Sequence, residues 1–328
     1  MKLKIAQVGL GHLGELHCAA LSKLSEVELA GVYDIHFEKS QRMAQIYGVK
    51  ACSDMKQLLE QAQALVVAVP TKSHFEIVQK ALATGKHVFV EKPIASSVAE
   101  AAELVELAAS SGMILQVGHI ERFNPAVRAL AGQELQPMYL ECKRLAPFSH
   151  RGTDVAVVVD LMIHDLDLVL HFVQSDIERI DASGFAVASP EIDIANARLQ
   201  FANGCVANLS ASRIASNKVR TLQLFQKNSY FKIDFLRQTA EKYYLIPNPG
   251  KKATGDDGKV ADLPRRKKIV CQALPVVDAD PLQMELQAFV QSVCTGAKPL
   301  VDGEDGKAVL AVAVEITKII EQQSKQRA

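Results

Sequence analysis

The chain has 328 residues, with 37 basic and 37 acidic side chains and a formal net charge of zero. This length suggests two domains at roughly 100–200 residues each, and 48% apolar with 23% charged residues excludes an intrinsically disordered chain. Neither half is markedly basic, so we expect no nucleic-acid partner. No apolar run approaches the ~20 residues that a membrane span needs, so we expect no membrane partner.

The six cysteines are spread along the chain without a CxxC pair. This spacing is typical of thiols in a reduced cytoplasm, so we expect a cytoplasmic protein and no metal site. The first four residues and the apolar run after them superficially resemble a signal peptide. Glycines interrupt the run and no small-residue cleavage site follows, so we interpret it as a buried strand.

Predicted strands and helices alternate through the first 120 residues. Apolar runs predict strands over residues 4–8, 27–33, 64–69, 87–90 and 114–118. Helical spacing of apolar residues predicts helices over residues 15–24, 37–47, 55–61, 73–84 and 98–111. Repeated β–α units of this length predict an α/β domain with an open, doubly wound parallel sheet.

The first strand–helix junction carries the glycine pattern GxGxxG, in Gly9-Leu10-Gly11-His12-Leu13-Gly14. In such a junction the first glycine permits a tight turn, the second lets backbone approach a pyrophosphate, and the third lets the helix pack on the strand. Asp34 follows at the end of the second strand, where a carboxylate binds the ribose hydroxyls of NAD and repels the extra phosphate of NADP. A structural glycine turn is the alternative, but this context favours a Rossmann domain over residues 1–119 that binds NAD. The predicted cofactor-binding residues here are Gly9, Gly11, His12, Leu13, Gly14 and Asp34.

Two later strand ends carry polar residues. Ligands of doubly wound sheets bind outside the carboxyl ends of the strands. Pro70, Thr71 and His74 follow one strand, and the tripeptide Glu91-Lys92-Pro93 follows the next. Pro93 biases Lys92 toward an extended conformation at the strand tip, where its charge could polarise a hydroxyl or ketone. A plain surface lysine is an equally good interpretation of these residues alone.

The GxGxxG turn, the Glu91-Lys92-Pro93 tripeptide and the architecture behind them resemble the glucose–fructose oxidoreductase / inositol dehydrogenase / MocA (Gfo/Idh/MocA) family over essentially the whole chain. The resemblance implies an NAD(P)-dependent dehydrogenase that acts on CH–OH groups. It places Lys92 beside the nicotinamide and the reacting carbon. It also implies that Pro70, Thr71, His74 and Glu91 belong to the cofactor site.

The pattern changes in residues 120–328. We predict strands over residues 138–145, 194–201, 206–212, 219–225, 230–235 and 241–246, with hairpins at Asn203-Gly204 and Asn228-Ser229. Predicted helices cover residues 124–130, 159–173, 282–293 and 305–321. These elements predict an α+β domain with a large open, mostly antiparallel sheet, which binds substrate and mediates oligomerisation. We expect an uncovered apolar face that includes Leu222, Leu224 and Phe231, and hence a homodimer or homotetramer through this sheet.

The predicted helix 159–173 carries Asp160 and His164, which are four residues apart and so share a helix face. A histidine beside a carboxylate is a suitable acceptor for a hydroxyl proton near neutral pH. From the residues alone, a structural histidine is the commoner case. The family resemblance implies a DxxxHxxD stretch in Asp160, His164 and Asp167, with His164 as base and Asp160 as its partner. Asp165 lies off this face and receives no role.

The stretch Gly118–Pro125 resembles the GxxERFNPA segment of a family branch that oxidises UDP-N-acetylglucosamine at its 3-hydroxyl, a step toward amino-sugar precursors of lipid A. A nucleotide sugar needs charged groups for its pyrophosphate and amides for its N-acetyl group. The candidate substrate residues, besides Lys92, Asp160 and His164, are Glu121, Arg122, Asn124, Arg151, Arg213 and Lys218. For Arg122 and Arg213 a structural ion pair is an equal alternative.

Two other functions stay open. A dehydrogenase of a free polyol or sugar, such as inositol or glucose, would share the catalytic residues but need no pyrophosphate site. A non-catalytic regulator that senses a dinucleotide would share the fold. The presence of both Lys92 and His164 favours an enzyme, because a regulator has no physical need for them.

Overall fold

A computed structural model describes residues 2–149, 155–247, 261–263 and 267–327. Its internal contacts divide the chain into two compact units, residues Met1–Phe123 with Ala279–Ala311 and residues Asn124–Asp278 with Val312–Ala328. In the described ranges, no helix combines the length and the hydropathy that a bilayer crossing requires. All six cysteines carry free thiols, and four of them are buried.

The first unit contains a five-stranded parallel sheet with strand order β2-β1-β3-β4-β5. Its elements up to the end of the sheet are β1 (Leu3–Val8), α1 (His12–Leu21), β2 (Val27–Tyr33), α2 (Phe37–Tyr47), α3 (Met55–Gln61), β3 (Ala64–Val67), α4 (His74–Ala83), β4 (His87–Glu91), α5 (Val98–Ser111) and β5 (Leu115–Gly118). This confirms the predicted doubly wound sheet. The direction in which successive strands are added to the sheet reverses at β1, so β2 and β3 pair with opposite edges of β1. That arrangement opens a crevice at the carboxyl ends of β1 and β3.

Local sequence signals explain where the helices of this unit end. Gly48 and Gly112 follow α2 and α5 in the left-handed conformation, with φ of 65° and 68°, which glycine adopts without steric cost. Ser97 begins α5 in a capping box with Glu100. α1 begins at His12, three residues before its predicted start, so Gly14 lies inside the helix.

The second unit contains a nine-stranded sheet with order β13-β14-β12-β11-β10-β6-β9-β8-β7. Its elements, with the two helices that end the chain, are α6 (Pro125–Arg128), β6 (Tyr139–Leu145), α7 (Ile163–Val173), β7 (Ile177–Phe185), β8 (Ile194–Phe201), β9 (Val206–Ser212), β10 (Val219–Gln226), β11 (Ser229–Asp234), β12 (Thr239–Pro247), β13 (Ala261–Leu263), β14 (Lys267–Ala273), α8 (Pro281–Thr295) and α9 (Gly303–Arg327). β6 and β9 pair in parallel and the other neighbours are antiparallel. The predicted mostly antiparallel sheet is present, and β7 extends it where we predicted no strand.

Residues 279–311 pack with the first unit. The domain boundary that we predicted from the sequence, between residues 119 and 120, places them in the second domain. The reason for the observed packing is the apolar face of α8, where Phe289 lies edge-on to Phe89 of β4 with ring centroids 5.9 Å apart. Beyond α8, the carbonyl of Val301 accepts a hydrogen bond from the N–H of Val117 in β5. Helical periodicity identifies an apolar face but does not say which sheet that face covers.

The two faces of the nine-stranded sheet differ from the sequence-based expectation. Leu222, Leu224 and Phe231 have no exposed surface, because they lie on the face that α6 and α7 pack against. The prediction that they form an uncovered patch is wrong. The opposite face carries a row of half-buried aromatic rings on β6, β10, β11 and β12, which we call the aromatic row. It consists of Tyr139, Phe225, Tyr230 and Tyr243, with successive ring centroids 5.7, 5.0 and 4.4 Å apart.

Candidate functional site

The glycine turn after β1 is built so closely that two of its glycines have no room for a side chain. Gly9 has φ of +84°, and a Cβ atom on it would collide with the carbonyl oxygen of Ala68 beyond β3. A Cβ atom on Gly14 would collide with the carbonyl oxygen of Gly9. The turn is further fixed because the Gly9 N–H donates to the carbonyl of Tyr33 at 2.8 Å. These two glycines therefore hold α1 against the strand ends.

Gly11 differs from its neighbours because it faces open space. A Cβ atom built on Gly11 would meet nothing within 4 Å. Gly11 precedes the first residue of α1, where unpaired N–H groups and the positive end of the helix dipole favour a phosphate. His12 and Leu13 are exposed on the same first turn. The turn thus has the open, uncharged cradle that a dinucleotide pyrophosphate requires.

Asp34 lies at the end of β2 beside this cradle. Its Oδ2 accepts a hydrogen bond from the N–H of Leu10 at 2.8 Å, and its Oδ1 accepts one from the N–H of His36 at 2.9 Å. Nζ of Lys39 on α2 lies 3.9 Å from Oδ1. The carboxylate is thereby fixed against the glycine turn, at the position predicted for ribose recognition. Sequence reasoning did not identify Lys39 as its neighbour.

The Glu91-Lys92-Pro93 tripeptide follows β4, as predicted, and the Lys92 side chain is half-buried. Glu91 points inward, where its Oε1 lies 3.0 Å from Nε2 of His17 on α1, which has no exposed surface. Oε2 of Glu91 accepts a hydrogen bond from the backbone N–H of Lys92 at 3.3 Å. Burial raises the pKa of Glu91, but the hydrogen bond and charge of His17 and the charge of Lys92 outweigh burial, so its pKa lies below the ordinary value.

His74, which we predicted to lie in the cofactor site, is directed at backbone carbonyl oxygens of two neighbouring turns. Its Nδ1 lies 2.8 Å from the carbonyl oxygen of Pro93, and its Nε2 lies 2.9 Å from that of Val69. The ring is buried, and burial lowers its pKa despite the opposing effect of the two carbonyls. His74 therefore ties the turn after β3 to the turn after β4. Pro70 and Thr71 lie in the turn after β3, where Pro70 is exposed and Thr71 is half-buried.

The second unit holds the predicted proton acceptor on the segment that enters α7. Residues Val158–Met162 form a π-helical turn, in which the N–H of Ile163 reaches back to the carbonyl of Val158. Such turns are rare and occur frequently at functional sites. Asp160 lies in the π-helical turn and His164 in the first turn of α7, and both are half-buried. Asp167 is fully buried one turn further on.

A buried ion pair that we did not predict fixes α7 directly after His164. Nε and Nη2 of Arg144 on β6 donate to the two carboxylate oxygens of Asp165 at 3.0 and 2.8 Å. Both side chains are about 2% exposed, and the Arg144 guanidinium lies 5.4 Å from the ring centroid of Phe235. Asp165, which received no role from its helix face, is thus the anchor of α7 on the sheet.

Arg213, a predicted substrate residue, is buried at the end of β9 with structural partners. It donates through Nη2 to the carbonyl oxygens of Val155 and Ile192, and its Nε lies 3.7 Å from Asp193. Burial raises the pKa of Asp193, but hydrogen bonds from the N–H groups of residues 187–189 and from the Ser189 hydroxyl lower it to about 2. These contacts support the structural alternative for Arg213.

The other predicted substrate residues lie in different environments. Glu121 and Arg122 are buried in a 3₁₀ turn, Ile120–Phe123, which packs against α8 within the first unit. Asn124 begins α6, accepting from the N–H of Ala126 at 3.0 Å. Lys218 is exposed before β10. Arg151 lies outside the described residues.

Two of the residues that sequence reasoning missed, His17 and Arg144, share one property, which is a partner distant in the chain. His17 with Glu91 and Arg144 with Asp165 are distant in the chain and close in space. The signal available for Arg144 was its position, because it has the same parity on β6 as the buried residues Leu140 and Cys142. A charge at such a position requires a buried partner.

Two family profiles match the chain. Residues 3–119 match the oxidoreductase family described as GFO_IDH_MocA with an NAD-binding Rossmann fold, and residues 127–228 match the GFO/IDH/MocA C-terminal domain. The chain is 32% identical over 320 residues to a UDP-N-acetylglucosamine 3-dehydrogenase of Acidithiobacillus ferrooxidans, which covers 97% of both chains. A solved structure of that enzyme superposes with a TM-score of 0.89 at 31% identity, covering 98% of both chains. A myo-inositol 2-dehydrogenase of Thermotoga maritima is 25% identical over 98% of this chain and 97% of its own length.

Proposed function

Because the chain belongs to the Gfo/Idh/MocA oxidoreductase family, we propose that it oxidises a nucleotide sugar, UDP-N-acetylglucosamine, at the 3-hydroxyl to the 3-keto sugar. The family and the named relatives make it a dehydrogenase of alcohol groups with an NAD-binding Rossmann domain. The observation that carries the substrate proposal is the 32% identity to a UDP-N-acetylglucosamine 3-dehydrogenase over 97% of both chains. A 3-keto product is suited to a transaminase that installs an amino group, which is the chemistry that amino-sugar precursors of lipid A require.

The residues of the first unit fit NAD. The open cradle at Gly11 and the start of α1 would hold the pyrophosphate, and Asp34 would hold the ribose hydroxyls. When bound, NAD supplies the acceptor for the hydride that leaves the alcohol carbon. The fixed carboxylate of Asp34 disfavours the extra phosphate of NADP, so we propose NAD as the working cofactor, although Lys39 lies close enough to reduce that repulsion.

Lys92 and His164 divide the remaining chemistry in this proposal. Lys92 donates a hydrogen bond to the alcohol oxygen and stabilises the ketone character that develops there. His164 accepts the hydroxyl proton, and Asp160 supports the charge that the imidazole then carries. The Nδ1 atom of His164 is buried, so we assign the proton transfer to Nε2. The π-helical turn before His164 supports this assignment, because it sets the direction in which the ring leaves the helix.

A substrate panel tests the proposal. We expect UDP-N-acetylglucosamine with NAD to give NADH, measured by its absorbance, at a kcat/KM at least tenfold above that of N-acetylglucosamine without the nucleotide. The physical reason is that the UDP moiety supplies binding energy that the free sugar lacks. UDP alone is expected to inhibit competitively.

The alternative is a polyol dehydrogenase, which the 25% identity to a myo-inositol 2-dehydrogenase favours. It predicts the reverse pattern in the same panel, with NADH formed from inositol and none from UDP-sugars. The contacts of Arg213 also favour the polyol dehydrogenase. Arg213 was predicted to bind the pyrophosphate of a nucleotide sugar, but its guanidinium donates hydrogen bonds to backbone carbonyls of the protein. A rate with inositol and no inhibition by UDP would replace the nucleotide-sugar proposal.

We further propose that a second copy of the chain covers the aromatic row. The row borders a shallow cavity of about 220 Å³ lined by Phe225, Tyr230, Tyr243 and Tyr244 among others. Stacked rings at the centre of a sheet face are typical of the core of a protein interface. Light scattering is expected to give a dimer or tetramer, and Tyr230→Arg is expected to lower the mass toward that of one chain. Gln322→Arg on the exposed side of α9 is the matched control, and a monomeric wild-type protein would contradict the proposal.

A further inference from the structure

We propose that His17 is a positioning residue for Lys92 and acts through the carboxylate of Glu91. The inference rests on the role proposed above for Lys92. Neither the sequence pattern nor the similarity to known dehydrogenases assigns a function to His17. It is carried by a chain of short contacts that begins in the middle of α1 and ends at the backbone of Lys92.

The first link joins α1 to the end of β4. Nε2 of His17 lies 3.0 Å from Oε1 of Glu91, whose side chain is only 13% exposed. The His17 ring also meets Phe89 of β4 edge-on, with centroids 5.6 Å apart. Because the ring is packed against the same strand that carries Glu91, its direction toward the carboxylate is fixed.

The second link joins Glu91 to Lys92. Oε2 of Glu91 accepts from the Lys92 N–H at 3.3 Å, so one carboxylate oxygen faces His17 and the other faces the lysine backbone. Space for this arrangement depends on Gly118 of β5, where a Cβ atom would lie 2.9 Å from Oε2. The carboxylate is thus held on both oxygens immediately before the residue that meets the substrate.

The charges explain what His17 contributes. A buried carboxylate without a partner attracts a nearby cation, and the charge of Lys92 is close enough to help lower the pKa of Glu91. Because Nε2 of His17 lies 3.0 Å from Oε1, the imidazole helps to balance the charge of the carboxylate and so weakens its attraction for the Lys92 ammonium. The other titratable groups around Glu91 are His74, from the turn before α4, and Lys92 itself. α8 packs on α1 and carries the buried carboxylate of Glu285.

Two amide replacements of His17 test the proposal. Glutamine carries its N–H₂ group close to the position of Nε2, whereas asparagine is one methylene shorter and carries it close to Nδ1. We expect His17→Asn to lower kcat about tenfold, which is about 1.4 kcal/mol on the barrier, with the Kd of NAD unchanged. His17→Gln is expected to retain most of the activity. His87→Asn, at the opposite end of β4, is the control and is expected to behave like wild type.

The pH dependence separates positioning from a packing role. His17 lowers the pKa of Glu91, so in His17→Asn that pKa is expected to rise and the acid limb of the kcat profile to move to higher pH. The same rise is expected in a ¹³C titration of labelled glutamate, which needs no substrate. A lower Tm with unchanged kcat and an unchanged acid limb would overturn the proposal.

The remaining outcomes are also decisive. If the wild-type protein does not turn over UDP-N-acetylglucosamine, the substrate proposal fails, while an unchanged Glu91 titration in His17→Asn refutes the His17–Glu91 coupling independently. If His17→Asn does not fold, Glu91→Gln replaces it, because an isosteric amide removes the charge without adding volume. Wild-type kcat in Glu91→Gln would then overturn the positioning role.

Discussion

Replacing Lys92 by alanine is expected to lower kcat by roughly 10²–10⁴-fold, the range typical of losing a group that acts on the proton or charge of the reacting atom. The Kd of NAD is expected to change little, because the cradle at Gly11 and the carboxylate of Asp34 belong to other strand ends. Steady-state kinetics with UDP-N-acetylglucosamine and calorimetric titration of NAD measure the two quantities. Their separation is the signature of a residue that contacts the reacting oxygen.

Lys86→Ala is the matched control for this variant, because Lys86 immediately precedes the same strand, at the end opposite Lys92. It removes the same charge and is expected to leave kcat unchanged. Lys92→Arg keeps the charge but replaces a compact ammonium by a planar fork, so we expect it to recover little activity. Turnover near the wild-type rate in Lys92→Ala would refute the catalytic assignment.

The parallel sheet could be predicted because its evidence is local. Each strand of the first unit is a short apolar run, and glycines such as Gly48 and Gly112 mark where the helices end. The position of GxGxxG between a strand and a helix then fixes the edge at which a dinucleotide would bind. The same reasoning extended to α8 as a helix, but the sheet that α8 covers depends on contacts between residues about two hundred positions apart, such as Phe89 and Phe289.

The faces of the second sheet show where alternation is insufficient. Alternation places Leu222 and Leu224 on one face of β10 and Phe225 on the other, so each face carries large apolar side chains. Which face is covered is decided by α6 and α7, whose packing the strand pattern does not contain. The same limit applies to β7, since the charged residues at its start obscure the alternation.

The predicted site residues show a related limit. Residue type identified Asp34 and Lys92 at the ends of the strands, where the structure has them. Residue type also suggested that Arg213 and His74 bind ligands, and the structure shows both side chains directed at backbone carbonyls of the protein, with Asp193 also beside Arg213. A side chain that can bind a phosphate or a cofactor can equally hold a loop, and only its neighbours distinguish the two roles.

Two alanine substitutions in the glycine turn are expected to separate folding from cofactor binding. Gly14→Ala places a methyl group against the carbonyl oxygen of Gly9, so α1 must move away from β1. Overpacking of this kind costs about 1–3 kcal/mol, and we expect a clear fall in Tm in thermal denaturation without any ligand. NAD affinity is expected to fall as well, because the start of α1 is displaced.

Gly11→Ala is expected to weaken NAD binding without lowering the Tm of the protein. Its φ of −75° is accessible to alanine, and its Cβ atom would meet nothing within 4 Å, so the Tm without ligand is expected to stay close to that of wild type. The methyl group would instead occupy the surface that a pyrophosphate must approach, and we expect the Kd of NAD to rise about tenfold or more, which corresponds to about 1.4 kcal/mol. Wild-type NAD affinity in Gly11→Ala would show that the open side of the turn is not where the pyrophosphate lies. The two glycines are only three positions apart. If Gly14→Ala lowers the Tm and Gly11→Ala does not, the closed side of the turn serves folding. If Gly11→Ala raises the Kd of NAD at an unchanged Tm, the open side of the turn binds the cofactor.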